Sequence, residues 1–271
     1  MSIVVNTNIG SLNAQRSLAE SSRELSTAME RLSSGKKINS AADDAAGFAI
    51  AERMTAQVRG LNMATKNAND GLAMLSTIEN ATNDVTDMLQ RIRELAVQAA
   101  NDTNGAQDRT YLQTEVDSLV AEINRVSTDT VYNDSVVLDG NLSGSLQVGT
   151  ASGQTIDFAI TSIDTTTLGV DALDFTDATT AATALTAIDS AIETVAGNRA
   201  GYGALSNRLE YTVSNLMNVA EFTTAARSRI EDADFAAESA RLAKAQVLQQ
   251  TGTAMLAQAN ASSQLAIQLI R

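Results

Sequence analysis

Residues 245–270 read AQVLQQTGTAMLAQANASSQLAIQLI, a run without a single Asp, Glu, Lys or Arg. Leu242, Ala245, Leu248, Gly252, Met255, Leu256, Ala259, Ala266, Leu269 and Ile270 recur every three or four residues, the period that lines up one face of a helix. Gln246, Gln249, Gln250, Gln258, Gln264 and Gln268 make the opposite face polar without making it ionic. The run has membrane length, yet six glutamines sit poorly in hydrocarbon, so no transmembrane span is expected. An apolar stripe on a terminal helix costs roughly 25 cal/mol for each Å² left in water, which a lone molecule has little reason to bear. Residues 1–15 are equally free of charge. Both ends therefore predict helices that self-assemble.

Inward from the N-terminus, a first helix is predicted over residues 8–32, with Leu18, Ser22, Leu25, Met29 and Leu32 as a heptad seam. SSGKK at 33–37 breaks it, and Asn39, Ser40, Asp43 and Asp44 read as the start of the next helix, the aspartates as caps before catalytic acids. The next helix is long: Met54, Leu61, Leu75, Ile78, Val85, Leu89 and Leu95 keep a three-or-four spacing that implies more than 50 residues and about 80 Å at 1.5 Å per residue, locally weakened by Gly47, Gly60 and Gly71. NDTNG at 101–105 is a turn, and Leu112, Val116, Leu119, Ile123 and Val126 mark a third helix folding back antiparallel. Alternation at Leu146, Val148, Ile156, Phe158 and Ile160 around GTASG predicts a small antiparallel β unit. Helical spacing resumes near Ala178 and breaks near residues 231–234, before the tail helix. Glu231, Asp232 and Asp234 read as helix caps, with a cation site as the sharper alternative. The expected fold is mainly α, a long antiparallel helical bundle or coiled coil with paired terminal helices and a small antiparallel β unit in the middle.

Composition narrows the function. The 271 residues contain no Cys, His, Trp or Pro. No disulfide, Cys nucleophile or Cys/His zinc site can be built, and the commonest proton-transfer side chain is missing, so no enzyme, cofactor or metal is expected. Absence of Pro suits unbroken helices, where one costs about 3 kcal/mol. Of the net charge of −13, ten negative charges fall between Arg125 and Arg199, where no Lys or Arg occurs. That acidic block reads as solvent-facing and argues against nucleic acid. No basic-apolar-cleavage pattern opens the chain, so no ordinary secretory signal is expected.

Several ordered segments resemble bacterial flagellin: VNTNIGSLNAQRSL, RLSSGKKINSAADDAAGFAIAERM, NANDGLAMLSTIENA, LQRIRELAVQAAN, LQVGTASGQTIDF, NRLEYTVSNL, ARSRIEDADFAAE and KAQVLQQTGTAMLAQANAS. The resemblance spans roughly residues 3–160 and 197–271. It implies a secreted structural subunit of the extracellular flagellar filament that serves swimming motility, with terminal helices lining an inner core tube and long helices an outer one. Only a short Thr-rich segment, about residues 161–186, stands where larger flagellins carry outer domains. The resemblance further implies type III export, with an export chaperone, the filament cap and hook-junction proteins as partners besides self. It also matches Gln90, Arg91, Leu95 and Glu115 to a surface read by Toll-like receptor 5, although packing between subunits is the plainer role for them.

The expected organisation is residues 1–43 as N-terminal core arm plus linker, 44–130 as the first half of the bundle, 131–176 as the β-rich acidic outer segment, 177–233 as the second half of the bundle, and 234–271 as C-terminal core arm. Assembly contacts are expected at Leu12, Leu18, Leu25, Leu32, Leu242, Leu248, Leu256, Leu265 and Ile270, because burial of apolar area drives association. Thr165, Thr166, Thr167, Thr179 and Thr180 read first as a solvated Thr-rich loop, with O-linked sugars as the alternative. GYG at 201–203 lacks the preceding strand and full glycine spacing of a nucleotide loop and reads as helix flexibility or packing. A hook-filament junction protein is the nearest rival function. A secreted adhesin or receptor ligand is the rival from another class.

Overall fold

The structure, a computed structural model, describes residues 7–269, with side chains described over 7–262. Six helices and two small sheets follow in order: α1 (Ile9–Ser34), α2 (Ala45–Ala99), α3 (Ala106–Asp129), β1 (Val131–Tyr132), β2 (Ser135–Val136), β3 (Ser143–Gln147), β4 (Thr155–Ala159), α4 (Thr165–Leu168), α5 (Ala178–Glu231) and α6 (Phe235–Leu269). The chain forms two compact units, one from Met1–Val58 with Phe222–Arg271, the other from Arg59–Glu221. They are called the terminal unit and the central unit below.

In the central unit, stripes from three helices share one core. Ile78, Val85, Leu89, Ile92 and Leu95 of α2 meet Val116 and Ile123 of α3 and Ile188, Val195 and Leu209 of α5. These are the apolar positions that recur every three or four residues, so burying one face of each helix closes the bundle. Arg199 of α5 reaches Glu79 of α2 at 2.7 Å. Arg109 of α3 covers the end of α2, its Nε donating to the Ala99 carbonyl at 2.9 Å and Nη2 to Asn101 at 3.2 Å. Carbonyls left free at a helix C-terminus thereby gain a cationic partner.

The β unit lies where alternation placed it. β3 and β4 pair antiparallel, with Leu146 opposite Ile156 and Gly144 opposite Phe158. The hairpin explains two glycines of α2. A Cβ at Gly71 would sit 2.5 Å from Cδ1 of Leu146, and one at Gly60 2.8 Å from Cγ2 of Thr150. Between them Asn67 donates from Nδ2 to the Gln147 carbonyl at 3.0 Å. These glycines permit a close approach rather than merely weakening the helix. Gly71→Ala, which helix propensity alone would favour by about 1 kcal/mol, must also displace the terminal methyl of Leu146, so the two effects oppose and the net change is expected to stay within about 1 kcal/mol. Urea denaturation reads the sign directly.

Two features of the segment after α3 differ from the expectation of one small β unit and a solvated Thr-rich loop. β1 and β2 form a hairpin whose turn residues Asn133 and Asp134 adopt φ of 48° and 63°, the left-handed region that Asn and Asp tolerate. The Thr-rich stretch is not a solvated loop over its length, because Ile163, Thr165, Leu168, Val170 and Phe175 are buried. Asp164 caps the one-turn α4 by accepting from the Thr167 N–H at 3.0 Å. Gln113 of α3 holds the following segment at both ends of its amide, donating to the Leu173 carbonyl at 3.0 Å and accepting from the Phe175 N–H at 2.7 Å.

The terminal unit pairs α1 along α6. The break between α5 and α6 is tied to the chain after α1: the Lys37 N–H donates to the Glu231 carbonyl at 2.6 Å and the Ala233 N–H to the Gly35 carbonyl at 3.0 Å. Gly35, at φ 71°, closes the C-terminus of α1. The carboxylates near this break are structural. Glu231 pairs with Lys36, Asp232 accepts from the Ser228 hydroxyl, and Asp234 caps α6 through the Ala236 N–H at 2.9 Å.

Candidate assembly surface

Asn8 starts α1 by accepting from the Ser11 N–H at 3.0 Å, and its own amide reaches across to the Ala259 carbonyl at 2.9 Å. From there Ser11, Ala14, Leu18, Ser21, Leu25, Ala28 and Leu32 face the partner helix at alternating steps of three and four, all buried or half-buried. On α6 the matching set is Glu238, Leu242, Ala245, Gln249, Gly252, Leu256 and Ala259. The two sets make a heptad seam. Leu18, Leu25 and Leu32 fall in the predicted seam, whereas Ser22 and Met29 are exposed and Ser21 and Ala28 take their places. Small side chains at the interleaved positions draw the helices together: a Cβ added to Gly252 would lie 3.4 Å from Cδ1 of Leu18.

The seam ends in an ion cluster. Glu238 is 5% exposed and lies 3.7 Å from Arg31 and 3.1 Å from Arg241. A carboxylate so buried is tolerable only when paired, and the pairing fixes the register of the two helices. In the linker before α2, Asp43 accepts from the N–H groups of Ser40 and Asn39, which hold its carboxyl below the ordinary value. Support from that turn is therefore present above the unfolded carboxylate value and lost as pH falls through the lowered one. Asp44 caps α2 by accepting from the Ala46 and Gly47 N–H groups at 3.1 and 3.0 Å.

The residues expected at assembly contacts divide into two groups. Leu18, Leu25, Leu32, Leu242 and Leu256 are half-buried in the α1–α6 seam. Leu12, 52% exposed, and Leu248 point away from it. Leu265 and Ile270 lie outside the residues whose side chains are described. Ile9, Met29, Phe235, Val247 and Met255 are exposed as well, Met255 at 64%, and were not among the expected contacts. Their signal lay in the periodicity once the seam positions are subtracted, since an apolar residue off the α1–α6 face is left exposed among the described residues. Leu248, Gly252 and Met255 line one side of a groove of about 700 Å³, with Gly10, Ala14 and Ser17 on the other.

In the central unit Gln90, Arg91 and Glu115 are exposed, and Arg91 donates to Glu115 from Nε at 3.0 Å and to Glu94 from Nη1 at 2.9 Å. The hydrogen bond to Glu115, then that to Glu94, raises the pKa of the guanidinium. Leu95 is 1% exposed and belongs to the core. Of the threonines, Thr166, Thr167 and Thr179 are exposed, Thr180 is half-buried, and Thr165 is 7% exposed.

Residues 5–143 match the family model described as the bacterial flagellin N-terminal helical region, and residues 185–270 the bacterial flagellin C-terminal helical region. The chain is 43% identical over 272 residues to flagellin of Halalkalibacterium halodurans, covering 99% of this chain and 100% of that one. It is 38% identical over 286 residues to flagellin FlaB1 of Treponema pallidum, covering 99% and 100%. The crystal structure of Bacillus cereus flagellin superposes with a TM-score of 0.50 at 30% identity, over 56% of this chain and 88% of that chain. A putative flagellar hook-associated protein from Vibrio parahaemolyticus shares the fold, with a TM-score of 0.62 at 16% identity over 70% of this chain and 100% of that one.

Proposed function

Since the chain belongs to the bacterial flagellin family and is a structural, non-enzymatic subunit of the extracellular filament used for motility, we propose that the outward faces of α1 and α6 carry its polymerisation. The observation that supports this most is a set of large apolar side chains left in water along one helix pair: Leu12, Leu248 and Met255 are exposed while the α1–α6 seam is already filled. Identical copies stacking in a heterologous, non-closing arrangement would cover these side chains in every subunit and generate a helical polymer. Leu18, Leu25, Leu32, Leu242 and Leu256 serve assembly at one remove by holding the pair together. In this reading residues 1–43 and 234–271 are the filament-core arms, 44–130 and 177–233 the two halves of the bundle, and 131–176 the outer segment.

The triple variant Leu12→Gln, Leu248→Gln and Met255→Gln tests the surface with little effect on the monomer fold. Each lost burial is worth about 1.5–3 kcal/mol, so the critical concentration should rise by at least about a hundredfold. Sedimentation of seeded reactions measures it, and wild-type polymerisation would rule the surface out.

An export chaperone for the C-terminal arm, the filament cap and hook-junction proteins are the further partners of this reading. If Toll-like receptor 5 engages the chain, Gln90, Arg91 and Glu115 are the residues that can touch it, and Leu95 acts through packing beneath them. O-linked sugars fit Thr166, Thr167 and Thr179, whereas one on Thr165 would need the α4 turn to open.

A further inference from the structure

The central unit, Arg59–Glu221, carries 8 basic and 22 acidic residues, a net charge of −14, while the rest of the chain carries 11 and 10. A filament sets many copies of this unit close together, so like charges oppose assembly wherever neighbours approach within a screening length of about 8 Å. The distribution of the basic residues bears on how that opposition is met. Arg91, Arg93, Arg109, Arg125 and Arg199 all spend their charge in ion pairs inside the unit. Among the described residues, Arg59, Lys66 and Arg208 make no ion pair, although Asp70 lies one turn beyond Lys66 on α2.

Two of these three share a surface. Arg59, Met63 and Lys66 are spaced i, i+4 and i+7, which places them on one face of α2, and all are exposed, Met63 at 56%. Leu61 and Ala64 of the same stretch turn the other way and are buried with Leu216 of α5. The stripe thus presents an apolar side chain between two cations, and among the described residues neither cation's side chain makes a hydrogen bond or an ion pair.

We propose that this Arg59–Met63–Lys66 stripe docks a carboxylate-bearing face of the central unit of a second copy in the filament. The inference rests on the filament reading and adds a second contact surface on a different unit from the terminal arms. Charge complementarity selects the occupant. The unit's own surplus of acid supplies what the stripe lacks, and every neighbour in a homopolymer brings the same surplus. A polyanion such as nucleic acid is disfavoured because the surrounding unit repels it. Each docked copy exchanges a like-charge approach for opposite charges across an apolar contact, an arrangement that gives orientation and rate as well as affinity.

Full-length Arg59→Glu/Lys66→Glu and Arg59→Gln/Lys66→Gln proteins test this against wild type. Both should match its circular dichroism and melting, since the positions are solvent-facing. Monomers are added to sheared wild-type filament seeds at about 10 mM and about 1 M salt, where the screening length is about 30 Å and about 3 Å. At low salt the Glu pair should raise the critical concentration about tenfold and the Gln pair by less; at high salt both should fall within about twofold of wild type. Filaments grown from mixed light- and heavy-nitrogen subunits are then treated with a carbodiimide, which joins an amine to a carboxylate in direct contact. Lys66 is the sole lysine of the central unit and should appear amide-linked to an Asp or Glu from a copy of the other isotope. Wild-type addition by the Glu pair at low salt, a deficit that persists at high salt, or a Lys66 linked only within its own chain or to nothing overturns the proposal. Failure of the filament reading looks different: wild-type monomers would not add to the seeds at all.

Discussion

A protein lacking residues 245–271 folds its central unit and forms no filaments. The core of that unit is drawn from residues between Ala68 and Leu209, all outside the deleted segment, so its helical signal and cooperative unfolding should survive. The terminal unit is affected differently. Ala245, Gly252 and Ala259 leave with the deletion, and Leu18 and Ser11 of α1 lose their cover. Short isolated helices are marginal in water, and α1 without its partner should lose most of its order. Each leucine withdrawn from an interface forfeits about 1.5–3 kcal/mol, and several together exceed any affinity that the remaining contacts can restore. Seeded polymerisation followed by sedimentation and negative-stain microscopy should give monomer only. Filaments of normal length from this truncation would remove the terminal arms from the account.

Phe175→Ala should cost the isolated protein about 3–5 kcal/mol, the range for emptying a fully buried aromatic site. The side chain is completely buried in the shared core although it belongs to a short stretch without regular structure between α4 and α5. Gln113 fixes the backbone leading into it, at the Leu173 carbonyl and at the N–H of Phe175 itself, so the surroundings have limited freedom to collapse into the space left behind. Urea denaturation of the monomer reads the loss, and hydrogen exchange should show the segment from Ile163 to Phe175 opening first. A change below about 0.5 kcal/mol, the usual size for a surface substitution, would mean that the acidic segment is a solvated loop after all.

That contrast marks what periodicity can reveal. The long helices, their caps at Asn8, Asp44 and Asp234, and the β3–β4 hairpin follow from local rules: a period of three to four, a small polar residue ahead of it, and alternation around a turn. Ile163, Leu168, Val170 and Phe175 have no common period because the backbone between them is irregular, and their burial depends on α3 and α5, which are distant in sequence. Gly60 and Gly71 read as weak points because propensity is local, whereas the Leu146 and Thr150 side chains that require them arrive from the hairpin. Gly197, Gly201 and Gly203 show the converse. A Cβ at any of them would meet nothing within 4 Å in the described chain, so packing inside the subunit does not account for them.

The candidate assembly surface was legible in part for a related reason. Apolar spacing on α1 and α6 identifies residues that avoid water, but not whether they do so within the chain or between chains. Leu18 and Leu256 are partly covered by the α1–α6 seam, and Leu12 and Leu248 are left outward, a division that only the relative rotation of the two helices decides. Leu95 gives the same lesson in the central unit: it shares a sequence neighbourhood with exposed Gln90 and Arg91, yet its position on the helix turns it into the core.

Hydrogen–deuterium exchange compared between monomers and assembled filaments tests most directly whether the two ends of the chain are held by neighbouring copies. The account predicts that amides of α1 and α6, which in the monomer pair with each other, exchange faster there than those beside Ile78, Leu89 and Leu209 and gain strong protection in the filament, while the latter are slow in both. Equal, strong protection of α1 and α6 in monomer and filament would contradict it.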